Sequence, residues 1–233
     1  MTSSLVSCIV PCFNGQPYLD EALSSILAQT HPKLEIIVVD DGSTDGSAAV
    51  VGCYGDAVRY HRQDNRGPAG ACNQGLALAT GAFIAFLEQD DVWLPDKTSR
   101  QLAALDADPS VGYCVGHVQN FWIAELEHEA RRYRDRPVMQ PVPGYVVQTL
   151  LARRETFDRV GRFDETLPFA FASDWFLRAR ERGIVERLVP EVVTRRRLHR
   201  ENFSRRHRDA SRDEFLHVIK ASLDRRRRDG ETR

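Results

Sequence analysis

Residues 83–95 read FIAFLEQDDVWLP, an apolar, β-prone run that ends in Glu88-Gln89-Asp90-Asp91. The run predicts a buried strand that delivers these carboxylates to its C-terminal edge, where open α/β sheets bind ligands. Three like charges this close repel one another, and a divalent metal with oxygen ligands is the usual remedy. The alternative is an acidic turn that only caps the next helix, predicted over Lys97–Leu105 with Asp96 as its N-cap.

The composition is that of an ordinary folded protein without a strong charge bias. Its 233 residues, 42% hydrophobic and 28% charged, suffice for one full core, so we expect a single domain. A net charge of -1 gives no general attraction to nucleic acid. Apolar runs of strand length, and a start that is not basic-then-apolar, predict no transmembrane segment and no secretion signal. The five scattered cysteines favour buried free thiols in a reducing cytoplasm.

Two earlier segments show the same succession of an apolar strand and a polar loop. Leu5–Val10 predicts a first strand, which Pro11 stops ahead of the loop Cys12-Phe13-Asn14-Gly15. A helix predicted over Tyr18–Gln29 separates it from a second strand, Leu34–Val39, which runs into Asp40-Asp41-Gly42-Ser43. Strand, helix and strand at this spacing predict a parallel pair with a right-handed crossover, so both loops reach one edge of the sheet.

A glycine-rich segment, NRGPAGACNQG at 65–75, opens a predicted helix of small residues just before the acidic strand. Small residues let a helix N-terminus approach a ligand or the sheet closely. A tight turn with no ligand is the alternative. The segment is therefore a candidate third contact for a ligand.

These segments, in this order, resemble family 2 of the glycosyltransferases, which have the GT-A fold. The matching motifs are VSCIVPCFN at 6–14, SILAQT at 25–30, IVVDDGSTD at 37–45, NRGPAGACNQG at 65–75 and EQDD at 88–91. One such motif alone would be weak evidence, but five in register are specific.

The resemblance implies an α/β, Rossmann-like GT-A fold, with a central, mostly parallel sheet flanked by helices and a C-terminal helical extension. It divides the chain into one glycosyltransferase domain, 1–205, and a basic helical tail, 206–233. Within the domain it implies a nucleotide-sugar-binding half, 1–115, and an acceptor half, 116–205.

The resemblance also implies roles in the nucleotide site. Pro11 and Asn14 would line it, Asp41 would hydrogen-bond the base, and Asp40 would support the loop or reach the ribose. A carboxylate can accept hydrogen bonds from a uracil N–H and from ribose hydroxyls. For Asp40, turn formation is the alternative. Arg66 lies where the family often has a positive residue near the pyrophosphate, or else it is a solvated loop charge.

Glu88-Gln89-Asp90 occupies the family's Asp-x-Asp position and belongs to the implied donor site. Asp90 would bind Mn²⁺ or Mg²⁺ directly and bridge it to the donor diphosphate, where the metal acts as a Lewis acid. Glu88 replaces the commoner Asp, and its extra methylene changes its reach to ribose or metal. Asp91 would orient the loop or bind through water.

Three segments of the second half extend the resemblance. Asp174, at the start of a predicted helix, matches the family's catalytic base, with Ser173 in place of the preceding Glu; capping of the helix is the alternative. In the Arg-x-His segment, Arg197 and His199 would contact metal or diphosphate after loop closure. Phe121, Trp122 and Tyr133 would stack on a sugar or pack beneath their loop. Val189–Val193 predicts a last edge strand.

We therefore expect an inverting, metal-dependent glycosyltransferase of the hexosyltransferase type. It would move a sugar from a nucleotide-diphosphate sugar, first of all a UDP-sugar, to a hydroxyl of a glycan, lipid-linked or peptide acceptor. A nucleotidyltransferase would carry a glycine-rich loop with Arg and Lys where this chain has PCFN at 11–14. A non-catalytic nucleotide-sugar or protein-binding module that retains the fold is the other alternative. The expected location is the cytoplasm, with the basic tail docked on the core, on a partner or peripherally on an anionic membrane surface.

Overall fold

The computed structural model describes residues 4–133, 136 and 139–231, of which 229–231 are described by their backbone alone. The predicted domain and tail therefore extend at both ends slightly beyond the described residues. The strands are β1 Val6–Cys12, β2 Leu34–Asp40, β3 Arg59–Arg62, β4 Phe83–Phe86, β5 Val92–Trp93, β6 Val111–Trp122, β7 Val142–Pro143, β8 Leu151–Arg153 and β9 Val185–Leu198. The helices are α1 Leu19–Leu27, α2 Ser47–Gly52, α3 Gly67–Leu78, α4 Lys97–Ala107, α5 Glu127–Tyr133, α6 Arg154–Val160, α7 Phe171–Glu181, α8 Phe203–Arg206 and α9 Arg208–Glu231.

The described strands form one sheet in the order β3-β2-β1-β4-β8-β6-β9-β5, with β7 paired to β6. In the N-terminal half, β1 runs parallel to β2 and β4, and β2 runs parallel to β3, as the strand-helix-strand spacing predicts. In the C-terminal half, β8 is antiparallel to both of its neighbours, β4 and β6, whereas β6 and β9 are parallel. The loops that follow β1, β2 and β4 therefore meet at one edge.

Helices cover both faces of the sheet, and each face has its own apolar core. Ile9 packs on one face with residues of α3, α6 and α7, and Val10, its neighbour on β1, packs on the other with residues of α1 and α4. Successive side chains of a strand point to opposite faces, so a strand covered on both sides must be apolar throughout. This explains the unbroken apolar runs in the sequence.

Two details differ from the predictions. β9 is much longer than the edge strand predicted over Val189–Val193, because it pairs along its length with the twelve-residue β6. Its C-terminal part is also covered on the other side by β5. Asp96 does precede α4, but it makes no capping hydrogen bond and instead pairs with Arg100 at 3.0 Å. Exposed pairs of this kind contribute little stability.

The basic tail forms α9, which docks on α7. Its Glu214 accepts hydrogen bonds from the backbone N–H groups of Phe169 and Ala170, 2.8 and 2.6 Å away, just before α7 begins. Further along, Arg225 is 2.7 Å from Glu181. Of the predicted alternatives for the tail, docking on the core is therefore observed. Among the described residues, no helix combines the length and apolar character needed to cross a membrane.

Lys97 is a fully buried amine beneath the sheet. Its Nζ donates to Gln101 Oε1 at 2.8 Å and lies 4.2 Å from the centre of the Trp93 ring. Burial lowers the pKa of this ammonium to about 7. The folded protein therefore releases a proton near neutral pH that the unfolded chain retains up to the ordinary lysine range.

We expect Lys97→Met to stabilise the protein at pH 7 and this advantage to shrink as the pH rises. Above the folded-state pKa, the unfolded chain binds more protons at this site, so the wild type gains up to ~1.4 kcal/mol of unfolding free energy per pH unit relative to the variant. Urea unfolding of both proteins between pH 7 and pH 8.5 measures this difference. The buried thiols Cys8 and Cys114, whose pKa values are raised to about 12, are present in both proteins, so their own effect on the pH dependence of stability cancels in the difference. A constant difference between the two proteins would contradict the prediction.

Candidate active site

The loops at the C-terminal edge of the sheet are held together by hydrogen bonds between them. Asn14, whose φ is 53°, accepts from the backbone N–H of Thr44 at 2.9 Å through its side-chain Oδ1. Its own N–H donates to Ser43 Oγ at 2.9 Å. Asparagine is one of the few residues that adopt a positive φ readily. Asn14 thus joins the loop after β1 to the loop after β2.

Gln89 joins the first of these loops to the acidic loop. Its side-chain amide accepts from the backbone N–H of Phe13 at 2.7 Å and donates to the carbonyl oxygen of the same residue at 2.9 Å. Gly15 permits this approach, because a Cβ there would lie 2.5 Å from Gln89 Oε1. The predicted donor-binding role of Gln89 stays a prediction; the structure places its amide on the protein backbone.

Asp40 is fully buried and supports the loop after β2. Its Oδ1 accepts from the backbone N–H of Ser43 at 2.7 Å, and its Oδ2 accepts from the Tyr60 hydroxyl. Burial by itself would raise the pKa of this carboxyl, but the hydrogen bonds from Tyr60 and Ser43 outweigh it, so the pKa lies below its usual range. The structure therefore shows the loop-supporting alternative.

Asp41 sits at the N-terminus of α3, where the helix dipole favours a negative charge. It accepts from the backbone N–H groups of Arg66 and Gly67, both at 2.8 Å, and from Gln63 Nε2 at 2.7 Å. The other amide atom, Gln63 Oε1, is buried and has no hydrogen-bond partner among the described residues. The Arg66 guanidinium makes two hydrogen bonds of 2.8 Å to Glu165, so it is a paired rather than a free charge.

Glu88, Asp90 and Asp91 bring carboxylate oxygens within 4.8 Å of one another, as the sequence predicts. Asp91 is buried with both oxygens engaged: Oδ1 accepts from the backbone N–H of Arg197 at 2.9 Å and Oδ2 from Gln148 Nε2 at 2.8 Å. It orients the loop, which is one of its two predicted roles. Asp90 Oδ2 is also engaged, because it accepts from Asn202 Nδ2 at 3.1 Å and lies 2.8 Å from a His199 ring nitrogen.

The oxygens left over are Asp90 Oδ1 and the Glu88 carboxylate, which accept no hydrogen bond from the described part of the chain. Burial, and then the negative charge of Asp90, raise the pKa of Glu88 to about 7, and the positive charge of Arg196 opposes this shift. A hard divalent cation is bound by such oxygens and relieves their repulsion. The pair therefore fits the predicted metal site.

Arg197 and His199 contact the acidic loop and support it. The Arg197 side chain donates from Nε to the carbonyl oxygen of Asp90 at 2.9 Å and pairs with Glu21 at 2.5 Å. The His199 Nδ1 accepts from the backbone N–H of Glu201 at 3.3 Å, which assigns the ring proton to Nε2 and makes it the donor to Asp90. A direct contact of either residue with metal or diphosphate stays a prediction.

Asp174 lies in the contact between α7 and α9. Its carboxylate is 2.6 Å from Arg178 Nε and 3.7 Å from an Arg225 nitrogen on α9, and the side chain is 9% exposed. A general base must have a free lone pair facing the acceptor. Two guanidinium groups hold this carboxylate in the α7–α9 contact, and the role of Asp174 as the base stays a prediction.

Several supporting residues were not singled out as site residues from the sequence: Glu21, Gln63, Gln148 and Asn202. Each is distant in sequence from the residue that it supports. A lone polar residue in a helix or loop also belongs to no motif that would predict its role. Asn202 is the exception, since it stands three residues after His199 in the segment that resembles the family.

A Rossmann-like sheet with cross-linked loops and a carboxylate cluster at its C-terminal edge is the architecture of GT-A glycosyltransferases. The model of glycosyl transferase family 2 matches residues 7–180, and the chain belongs to this family. An uncharacterized glycosyltransferase of Rickettsia prowazekii is 33% identical over 212 residues, which are 84% of this chain and 65% of that protein. The chain thus spans about two thirds of that relative's length.

Two solved structures share the fold. Staphylococcus aureus TarS in complex with UDP-GlcNAc superposes with a TM-score of 0.71 at 20% identity, covering 94% of this chain and 65% of that one. A mannosyltransferase from Pyrobaculum calidifontis in complex with GDP-Man and Mn²⁺ has a TM-score of 0.67 at 25% identity, covering 88% of this chain and 60% of that one. The GT-A fold predicted from the sequence is therefore confirmed.

Proposed function

We propose that this protein is an inverting, metal-dependent glycosyltransferase that moves a sugar from a nucleotide-diphosphate sugar, first of all a UDP-sugar, to an acceptor hydroxyl. The observation that carries the proposal is the pair of unengaged oxygen ligands, Glu88 and Asp90 Oδ1, beside three loops locked together by hydrogen bonds. The two solved relatives support it, since their complexes hold UDP-GlcNAc in one case and GDP-Man with Mn²⁺ in the other.

In this proposal Glu88 and Asp90 hold the metal, which when bound offsets the diphosphate charge and acts as a Lewis acid on the leaving group. The chain's own residues keep these ligands in place. Asn202 and His199 fix the Asp90 carboxylate, so that only Oδ1 faces the cation. Such supporting hydrogen bonds raise metal affinity because the ligands need no reorganisation.

The nucleoside would lie against the loop that carries Asp41. Gln63 cannot rotate its amide without losing the hydrogen bond from Nε2 to Asp41, so its unpartnered Oε1 is held as an acceptor. A buried acceptor without a donor is unfavourable until a ligand supplies one. A nucleobase N–H next to Asp41 would donate to Gln63 Oε1. In this proposal the base is therefore bound by Gln63 as well as by Asp41.

Inversion in a single displacement needs a group that takes the proton of the acceptor hydroxyl. Asp174 is the candidate from the sequence, but it can act only if it leaves Arg178 and Arg225. Our proposal therefore has Asp174 take this proton once acceptor binding has displaced the two ion pairs, and the experiment that separates this role from a purely structural one is described in the Discussion. Glycan, lipid-linked and peptide acceptors, and a cytoplasmic location, stay predictions.

Calorimetric titration of UDP and GDP, each with Mn²⁺ and with EDTA, tests the proposal. We expect UDP to bind in the presence of Mn²⁺ and to lose at least about tenfold in affinity when EDTA removes the metal, because the phosphates then face Glu88 and Asp90 directly. Slow release of UDP from a bound UDP-sugar would establish turnover. Binding without any turnover would favour the non-catalytic module, and binding of neither nucleotide would refute the proposal.

A further inference from the structure

A cavity of about 570 Å³ lies between the ends of β6 and β9, helix α5 and the start of α9. Its lining includes Trp122, Tyr133, Arg196, Leu198, Arg205 and Arg208. None of these residues belongs to the carboxylate cluster or to the loops around it. The cavity nevertheless adjoins that cluster, since the charge of Arg196 acts on Glu88 and Asp91.

The register of the two long strands explains why the cavity and the acidic loop are neighbours but separate. β6 and β9 are parallel here, with Asn120 opposite Arg196 and Trp122 opposite Leu198. Because successive side chains alternate between the faces of a sheet, Arg196 and Leu198 line the cavity while Arg197, between them, turns to the acidic loop. One strand end thus serves two sites on opposite faces.

The cavity carries an excess of positive charge. Arg205 is paired with Glu129 at 2.7 Å, and this hydrogen bond lowers the pKa of that carboxyl. Arg196 donates to the uncharged Ser204 Oγ at 2.9 Å. Within the described ranges, no carboxylate lies within 4.0 Å of the guanidinium groups of Arg196 and Arg208. Unpaired guanidinium groups in a concave site recognise phosphate through two parallel hydrogen bonds.

The same cavity has an aromatic wall. Trp122 and Tyr133 are stacked, with ring centroids 6.4 Å apart and planes inclined by 18°. The indole N–H of Trp122 is buried and makes no hydrogen bond to a described residue. It does lie close enough to Glu129 to help lower the pKa of the Glu129 carboxyl. A buried donor without an acceptor is costly, so a ligand oxygen would be stabilised there. Aromatic faces with a polar tip suit sugars and polyols.

We propose that this cavity binds the acceptor, and that the acceptor carries a phosphate group on or next to the sugar or polyol that is glycosylated. The phosphate would pair with Arg196 and Arg208, and the hydroxyl-bearing part would lie against Trp122. This rests on the proposed function, because the metal at Glu88 and Asp90 already accounts for the donor diphosphate, which leaves the cavity's charge for a second anion. A soluble sugar phosphate and a lipid phosphate share this chemistry, and the test distinguishes the two sources.

The test measures binding of glucose 6-phosphate, glucose, glucuronate, and phosphatidylcholine vesicles with and without polyprenyl phosphate. The proteins are the wild type, Arg208→Gln, Arg196→Gln/Arg208→Gln, Trp122→Phe and the control Arg200→Gln. Arg200 is exposed between β9 and α8 and does not line the cavity. Its variant removes one positive charge, as Arg208→Gln does, and therefore controls for the change in charge. Binding of UDP with Mn²⁺ is measured on every protein.

We expect the wild type either to bind glucose 6-phosphate at least about tenfold more tightly than glucose, or to bind vesicles with polyprenyl phosphate at least about tenfold more tightly than vesicles without it, since hydrogen bonds between charged groups are the strong ones. The double variant should lose at least about tenfold, Trp122→Phe less, and Arg200→Gln less than about twofold. UDP binding should stay unchanged in Arg208→Gln, Trp122→Phe and Arg200→Gln; the double variant is left out of this comparison, because the charge of Arg196 acts on Glu88. Which probe binds identifies the soluble or the lipid source.

Three results would overturn the inference. Phosphate binding that survives in the double variant would place the anion elsewhere. Equal binding of glucuronate would show that the cavity binds carboxylates as well as phosphates and does not discriminate between them. Loss of UDP binding in parallel with phosphate binding in Arg208→Gln would assign Arg208 to the donor. Failure of the wild type to bind UDP at all would instead refute the proposed function, so the two failures are distinguishable.

Discussion

Asp90→Asn will bind UDP no more tightly with Mn²⁺ than with EDTA, and sugar transfer will fall by at least about 100-fold. Asparagine keeps the size of the side chain but removes the charge that Asp90 Oδ1 offers to a cation. Glu88 alone cannot replace it, because a single carboxylate offers a divalent cation fewer charged oxygen ligands than the pair does. A metal that stabilises the leaving diphosphate contributes several kcal/mol, which sets the size of the loss.

The matched control for this variant is Asp96→Asn. Asp96 stands six residues later, before α4, and its only described charge partner is the exposed Arg100. We expect this variant to bind UDP and Mn²⁺ like the wild type, since it lies outside the carboxylate cluster. If Asp90→Asn retained metal-dependent UDP binding, the assignment of the metal site to Glu88 and Asp90 would be wrong.

Asp174→Asn will lower the free energy of unfolding by about 3 kcal/mol, which is the scale expected when one partner of a largely buried ion pair is removed. The loss leaves Arg178, 18% exposed, without its carboxylate and weakens the hold on Arg225. Urea unfolding followed by circular dichroism measures the change. We also expect the folded variant to lose at least about 100-fold in transfer rate, because asparagine cannot take the proton of the acceptor hydroxyl.

Glu181→Gln separates this structural role from a role in catalysis. Glu181 lies on the same helix, α7, and also holds Arg225, at 2.7 Å, together with Ser222. It therefore tests the same α7–α9 contact without touching Asp174. A loss of more than about 100-fold in the transfer rate of Asp174→Asn, without such a loss in Glu181→Gln, would identify Asp174 as the general base, since general bases contribute on this scale. Equal transfer rates in the two variants would leave Asp174 with the structural role alone.

The order of strands and helices in the first half could be predicted from the sequence, because each element is coded locally. Val6–Cys12 and Leu34–Asp40 are nearly continuous apolar runs, which is the pattern of strands buried on both faces. Pro11 and the Gly-rich segment mark where the chain must turn. The carboxylate cluster followed from the same logic, since Glu88, Asp90 and Asp91 lie within four residues of one another.

The second half was harder to predict because its structure depends on long-range pairing. The extent of β9 is set by β6, and nothing within Val185–Leu198 itself distinguishes the predicted five residues from the fourteen observed. The six charged residues of this strand make it resemble a solvated segment when it is read alone. Only the partner strand determines how far the hydrogen-bonded ladder runs.

The sequence by itself determined the family, the fold and which carboxylates gather at the sheet edge, because these depend on local patterns of apolar and acidic residues. Only the tertiary structure decided which of those groups are free. Asp91 and Arg66 are engaged by Gln148 and Glu165, which are distant along the chain, and Asp174 is engaged by Arg178 of its own helix and by Arg225 of α9. A charge available to a ligand is one that the rest of the fold leaves unpaired, and that is a property of packing rather than of the residue itself.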